Sequence, residues 1–236
     1  MLNESTRWPN GTLMQRLSKR SRGELIGLLA PARTLKIGEI LLRQGDGGQV
    51  VYLLRSPGPE RSACVKITAR LENGSHTLLA IRIGGDLVGE MAVLRDVPRN
   101  ATVTACARTL AHAVPNDTFK AFLHRCPDVW PHLYEMATGQ LDWANLRRQE
   151  FTGYPIAVRL ARVMLDLADR HGSPGPGGIH LGVRLSQAEL GLLVGAREDA
   201  VSQALGQLRQ AGLVSPRYRA VLVTDLSGLR HFASST

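Results

Sequence analysis

Between Ala32 and Val114 the chain is cut into short runs rich in Val, Ile, Leu and Thr, each closed by a turn signal. "EILL" precedes "RQGDGG", "VVYLL" precedes "RSPGPERS", "ACVKITARL" precedes "ENGS", and "HTLLAIRI" precedes "GGD". Short runs at this regular spacing suit a small antiparallel barrel or jelly roll. Outside this stretch the texture is helical. "LMQRLSKRSRGELIGLLA" reads as one short helix with Leu17, Leu25 and Leu28 among its apolar positions. At "VPNDTFKAFLHRCPDVW" Asn116 or Asp117 can cap a short helix, and Asp128 can cap a longer one running to about Phe151. Leu133, Ala137, Leu141, Ala144 and Phe151 form a stripe along the longer helix, either a coiled-coil seam or a face packed on the barrel.

"FTGYP" breaks that helix, because Pro155 disfavours helical geometry at Tyr154 and Gly153 is flexible. Beyond this boundary "IAVRLARVMLDLADRHG" is a strongly amphipathic helix ending at Gly172. "SPGPGG" reads as a loop, and "GIHLGVRLS" holds a short strand. Ser186 and Glu189 form the S-x-x-E pattern of a capping box, opening a helix through Val194. Gly195 permits a tight turn, and a second helix follows with Val201, Leu205 and Leu208 on one face. "GLVSPRYRAVLV" then reads as two short strands around a turn. Helix, turn, helix and β-wing is the winged helix-turn-helix arrangement, whose second helix enters the major groove of DNA. A plain pair of packed helices is the alternative.

Composition narrows the function classes. No apolar run approaches the roughly 18–20 residues of a membrane span, and the first residues lack the apolar segment of a secretory signal. Cys64, Cys106 and Cys126 are scattered, which suggests buried thiols in a reducing cytoplasm and no zinc or iron–sulfur site. No nucleophile elbow, P-loop or metal-spaced set of His, Cys, Asp and Glu is present, which argues against an enzyme. The net charge of +9 suits a polyanionic partner. Yet only four of the 29 basic residues are lysines, so an arginine-rich composition accounts for part of it, and the charge is spread along the chain.

"VGEMAVLRDVPRNATV", Val88 to Val103, holds a small residue, an acid, an arginine and another small residue at fixed spacing. A ligand bearing both a hydroxyl and an anion explains all four. Glu90 can accept from a ribose hydroxyl, and Arg99 can bond a phosphate. Gly89, Met91 and Ala92 would start a short helix whose amides face the anion, and Ala101 would keep the wall low. The alternative is a salt bridge between Glu90 and Arg99 across a turn.

"GEMAVLRDVPRNATV" closely resembles the phosphate-binding cassette of cyclic-nucleotide-binding domains. With the C-terminal module, the chain from about Leu17 to Val223 resembles the cyclic-AMP receptor protein/FNR family of bacterial transcription regulators. The resemblance implies an α+β chain in three parts: a jelly-roll cyclic-nucleotide-binding domain over 1–127, a dimerisation helix over 128–152 and a winged helix-turn-helix domain over 153–236. It implies ligand contacts at Gly89, Glu90, Met91, Ala92, Arg99, Asn100, Ala101 and Asn145, with cyclic AMP the expected ligand and cyclic GMP the alternative. The dimer seam would run through Leu133, Ala137, Leu141 and Ala144. DNA contacts fall on Ser186, Gln187, Arg197, Glu198, Asp199, Ser202, Gln203, Arg209, Arg217 and Arg219. The implied partners are double-stranded DNA, a second copy of the chain and, as a candidate, RNA polymerase, with no membrane.

Departures from the family pattern are as informative. The adenine-contacting Thr-Ser pair of cyclic-AMP-responsive members aligns with Ala144 and Asn145, and Asn100 replaces the usual Ser, Thr or Ala after the cassette arginine. "RSPGPERSA" is longer than the usual loop between those strands. The N-terminal cysteine cluster of the iron–sulfur branch is missing, and His76 has no identifiable partner for a haem. Aligned without gaps, the recognition helix presents Glu198, Asp199 and Gln203 where much of the family has Arg, Glu and Arg. Two other outcomes stay open: a regulator that has lost ligand control and binds DNA constitutively, and a nucleotide sensor acting on a protein partner.

Overall fold

The computed structural model describes residues 8–58, 63–72, 74, 76–217 and 220–234, except the side chains of Gln140, Trp143, Ala144, Arg147, Arg148, Thr152 and His171. The chain forms two compact units, Met1–Leu141 and Asp142–Thr236.

The first unit contains two four-stranded antiparallel sheets. One orders β1 (Arg33–Leu35), β8 (Thr109–Pro115), β3 (Val50–Arg55) and β6 (Leu87–Val88); the other orders β2 (Ile40–Leu42), β7 (Thr102–Ala105), β4 (Cys64–Arg70) and β5 (His76–Ile83). Between the sheets Leu35, Leu54, Val88 and Ala111 meet Leu41, Val65, Val103 and Ala105. On its other face the first sheet packs Val51, Leu53, Leu87 and Val114 against helices, where Phe119, Phe122, Leu25 and Met14 are fully buried. β3 is covered on both faces, so its sequence is a continuous apolar run instead of an alternating one.

Three helical expectations are corrected here. The N-terminal segment is two helices, α1 (Leu13–Arg16) and α2 (Lys19–Gly27), because Leu17 is extended and Ser18 caps the second by accepting from the Ser21 amide at 3.2 Å. Neither Asn116 nor Asp117 caps α4 (Asn116–Arg125). Pro115 holds the cap position, and the Asn116 amide already donates to the Gln49 carbonyl at 2.9 Å. Asp128 lies within a 3-10 turn, Pro127–Val129, ahead of α5 (Trp130–Gly153). Its carboxylate instead accepts from the Ser21 hydroxyl at 2.8 Å and the Ser18 hydroxyl at 3.0 Å, tying α2 to the root of α5.

Leu133 is corrected as well. It is 4% exposed in the core of its own unit, packed with the Phe119–Val129 cluster, and is not available to a second chain. Tyr134 and Leu141, by contrast, are exposed.

The second unit opens with the end of α5, breaks at Tyr154–Pro155 and continues as α6 (Ile156–His171). The stretch read as a loop after Gly172 is a hairpin, β9 (Ser173–Gly175) and β10 (Gly178–His180), which joins β12 (Ala220–Val223) and β11 (Val214–Arg217) in one antiparallel sheet. Gly178 makes that joining possible: at φ 144°, an added Cβ would lie 2.1 Å from the Val223 carbonyl oxygen. Helices α7 (Gln187–Val194) and α8 (Glu198–Gln210) both pack on α6, and Leu190, Leu193, Val201, Leu205 and Leu208 on them are buried. A final helix, α9 (Leu226–Ser234), was not foreseen from the sequence; it packs on α6 and buries Leu229.

Candidate functional site

In the first unit β5 turns through Gly84–Asp86 into the two-residue β6. Gly89 then takes the left-handed conformation (φ 87°) that starts α3 (Glu90–Arg95). Asp96, also left-handed, ends it, and the chain returns through Pro98 and Arg99 to β7. The turn matters because a Cβ on Gly89 would sit 2.6 Å from Arg99 Nη1. Glycine is therefore required twice over, by backbone angle and by the closeness of the guanidinium.

Glu90 and Arg99 are both buried, at 7% and 5% exposure. Arg99 is held by long-range contacts. Its Nη1 donates to the Gly89 carbonyl at 2.6 Å, its Nη2 donates to the Val50 carbonyl, and its backbone amide donates to the Asp46 carbonyl at 2.8 Å. The Nε donor is buried and has no hydrogen-bond partner among the described residues. Burial pulls the guanidinium pKa down, opposed by the nearby Tyr52, Glu90 and Asp46; an arginine nonetheless stays charged at neutral pH. Burial raises the Glu90 pKa, with Arg82 the main opposing charge, while Asp86 reinforces the rise. Among the described residues no ion pair joins Glu90 to Arg99, so a salt bridge across the turn does not explain the motif.

Of the other expected ligand residues, Ala92 and Ala101 are buried beside these two, Met91 is half-buried and Asn100 is exposed. Asn145 is an exposed residue of α5 in the second unit, and the Ala144 side chain lies outside the described residues. A cleft of about 560 Å³ beside the cassette, lined by Gly48, Ala92, Val97, Pro98 and Asn116 among others, includes neither Glu90 nor Arg99. It is not the place this chemistry marks. Sequence reasoning missed Asp46 and Val50, whose backbone carbonyls accept from Arg99 about 50 residues further along the chain.

In the second unit the capping box forms as read: the Ser186 hydroxyl accepts from the Glu189 amide at 3.2 Å, and the Glu189 carboxylate accepts from the Ser186 amide at 2.8 Å. The same hydroxyl donates to that carboxylate at 3.2 Å, so Ser186 serves the helix start before any DNA contact. Gly195 is left-handed (φ 62°), and the Phe151 ring stands 3.0 Å from where its Cβ would be. Arg159, 9% exposed, donates to the Val194 carbonyl at 2.6 Å and closes the end of α7. Val201 is fully buried, which supports the ungapped register of α8. Arg197, Glu198, Asp199, Ser202, Gln203 and Arg209 are exposed along that helix, as is Arg217 on the wing, while Gln187 is half-buried. Arg197 Nε lies 4.0 Å from Asp199. Arg219 lies outside the described residues.

Cys64, Cys106 and Cys126 are free and buried. Among the described residues no group of three His, Cys, Asp or Glu side chains could hold a metal ion, and no helix is long and apolar enough to cross a membrane.

Residues 32–126 match the family model of the cyclic nucleotide-binding domain, and residues 158–232 match that of the Crp-like helix-turn-helix domain. The class is therefore a nucleotide-binding roll joined to a DNA-binding winged helix. The chain is 25% identical over 188 residues to a CRP-like cAMP-activated global transcriptional regulator of Mycobacterium tuberculosis, covering 80% of this chain and 81% of that one. It is 27% identical over 177 residues to the cyclic AMP receptor protein of Thermus thermophilus, covering 75% and 76%. Its fold is similar to that of CLP, the c-di-GMP responsive global regulator of Xanthomonas campestris. That match has a TM-score of 0.71 at 17% identity and covers 88% of this chain and all of that one. The chain belongs to the cyclic-AMP receptor protein/FNR family of transcription regulators, which in general are not enzymes.

Proposed function

We propose that the protein is a homodimeric operator-binding regulator whose affinity for DNA is set by a cyclic nucleotide, cyclic AMP first, held in the roll. One observation carries the ligand reading: Glu90 and Arg99 are buried together around a left-handed Gly89, with an Arg99 Nε donor still to be satisfied. A buried donor without a partner costs about 1–3 kcal/mol, which an anionic phosphate would offset. The residues fit such a ligand. Arg99 would bond the phosphate and Glu90 would accept from the ribose hydroxyl, while Ala92 and Ala101 leave room for the backbone to approach. The regulators of M. tuberculosis and T. thermophilus named above are described by cyclic AMP, which supports taking it first.

Calorimetric titration with cyclic AMP, cyclic GMP and cyclic di-GMP tests this reading. Heat and saturation with cyclic AMP are the expected result; no response to any of them at millimolar concentration defeats it. A second reading, DNA binding without a ligand, draws on the two in-chain carbonyls that already engage Arg99. It predicts operator binding that is unchanged by any of the three nucleotides.

On DNA, α8 would read bases through Glu198, Asp199, Ser202 and Gln203, with Arg197, Arg209 and Arg217 on phosphates or a flanking guanine. Arginine is the side chain that pairs bidentately with guanine, each such pair giving about 1–3 kcal/mol of discrimination. With Glu198 and Gln203 at arginine positions, guanine preference should be lost there; Gln203 suits adenine and the carboxylates suit cytosine amines. Selection from a random duplex library should yield a palindrome whose half-site differs from the TGTGA type, with steep salt dependence. Recovery of TGTGA half-sites would show that these roles are misassigned.

A further inference from the structure

Three residues, Gly195, Ala196 and Arg197, join α7 to α8 and decide how α8 leaves α7. Inside this turn the Gly195 and Ala196 amides both donate to the Gly191 carbonyl. Arg197 stands at the N-cap of α8 without a side-chain cap bond, so its side chain does not lock that end of the turn. Two groups reach the turn from outside. The Phe151 ring, from the last turn of α5, lies against Gly195, where an added Cβ would be 3.0 Å from three ring atoms. Arg159 of α6 donates from Nη1 to the Val194 carbonyl at 2.6 Å, and its guanidinium carbon lies 5.7 Å from the centre of the same ring. That distance suits a cation over an aromatic face. Ring, guanidinium and turn therefore meet as one contact drawn from α5, α6 and α7.

The end of α5 is itself held in place. Arg162 of α6 sets its guanidinium carbon 3.7 Å from the centre of the Tyr154 ring, and its Nη1 lies 3.4 Å from the buried Glu150 carboxylate. Its Nε donates to the Ala233 carbonyl of α9 at 3.0 Å. Glu150, Phe151 and Tyr154 are thus all engaged by arginines of α6. The core of this unit does not depend on the Phe151 ring for its cohesion. Leu190, Leu193, Val201, Leu205 and Leu208 are at most 3% exposed, whereas Phe151 remains 38% exposed. Such incomplete burial contributes less to stability than a core position does. What the ring supplies is a wall beside a glycine that has no side chain of its own to hold the turn.

We propose that Phe151 and Arg159 are positioning residues for operator reading: together they hold the α7–α8 turn in the geometry that presents Glu198, Asp199, Ser202 and Gln203 to bases. This inference rests on the operator-binding reading above. Neither residue needs to touch DNA; both act through the turn. A displaced turn spoils base contacts, which carry the sequence information, more than the sequence-independent phosphate contacts of arginines.

The test compares two duplexes on the full chain, with and without millimolar cyclic AMP: the operator selected from the random library, and a random-sequence duplex of equal length. Titrations at one salt concentration, below the melting transition of every protein used, give the ratio of the two affinities. Phe151→Ala should reduce that ratio at least about tenfold, while affinity for the random duplex changes by less than about threefold. Arg159→Met should act in the same direction. Phe151→Tyr and Arg159→Lys, which keep the ring and the charged donor, should recover part of the ratio. A merely structural role would lower the melting temperature and leave the ratio of the folded protein where it was, and that pattern overturns the proposal. So does a loss of both affinities in equal proportion. Should Arg159→Met not fold, Phe151→Ala and Phe151→Tyr decide the question by themselves. Wild type that prefers its operator no more than the variants do removes this inference alone. Wild type that selects no operator removes the operator reading as well.

Discussion

Arg99→Ala is expected to weaken cyclic AMP binding by at least about 100-fold, because a guanidinium fork contributes more than one charge-assisted hydrogen bond of about 1.5–3 kcal/mol. The same change strips donors from the Gly89 and Val50 carbonyls. The Gly89 carbonyl keeps the Val93 amide at 3.4 Å, but the Val50 carbonyl loses the Arg99 donor. A lost hydrogen bond of this kind costs about 1–3 kcal/mol, so the ligand-free protein should also melt at a lower temperature. Arg99→Lys should fall between, keeping the charge but not the planar fork that reaches both carbonyls. Calorimetric titration and thermal unfolding report the two effects separately. Wild-type affinity in Arg99→Ala would mean that the phosphate is bound elsewhere.

Leu141→Glu is expected to convert a dimer into single chains. Leu141 is 60% exposed and Tyr134, seven residues earlier on α5, is 72% exposed. Large apolar side chains exposed at heptad spacing on one helix mark a surface that a second helix covers. With Leu133 turned into its own core, the proposed seam rests on Tyr134, Ala137 and Leu141. Two glutamates brought together near a two-fold axis would have to be desolvated as like charges. A dimer reads two half-sites about 34–36 Å apart, whereas a single chain reads one. Operator affinity should therefore fall by more than about 100-fold, the loss of roughly two 1.4 kcal/mol steps. Light scattering reads the mass and a gel-shift titration the affinity. A one-chain mass for wild type at micromolar concentration would overturn the assignment.

What the sequence determined by itself was local. Turn residues after apolar runs marked four of the eight strands described in the roll, β2 to β5, since Gly and Asn tolerate, and Pro presets, the backbone angles a turn requires. The capping box at Ser186 and Glu189 was legible for the same reason, since its partners lie three residues apart, and the buried face of α8 was legible from the spacing of Val201, Leu205 and Leu208. The cassette was legible because its spacing is held by one short helix. The tertiary structure decided everything whose partner is distant in the chain. It turned Asp128 from a helix cap into an acceptor for Ser18 and Ser21, more than 100 residues away. It placed Leu133 in the core and left Tyr134 outside, a choice between adjacent residues that periodicity alone left open. It gave Arg99 the Val50 carbonyl, 49 residues distant. Spacing along a chain encodes which side chains share a helix turn or a strand face; which other strand or helix then covers that face is settled only when the sheets close on one another.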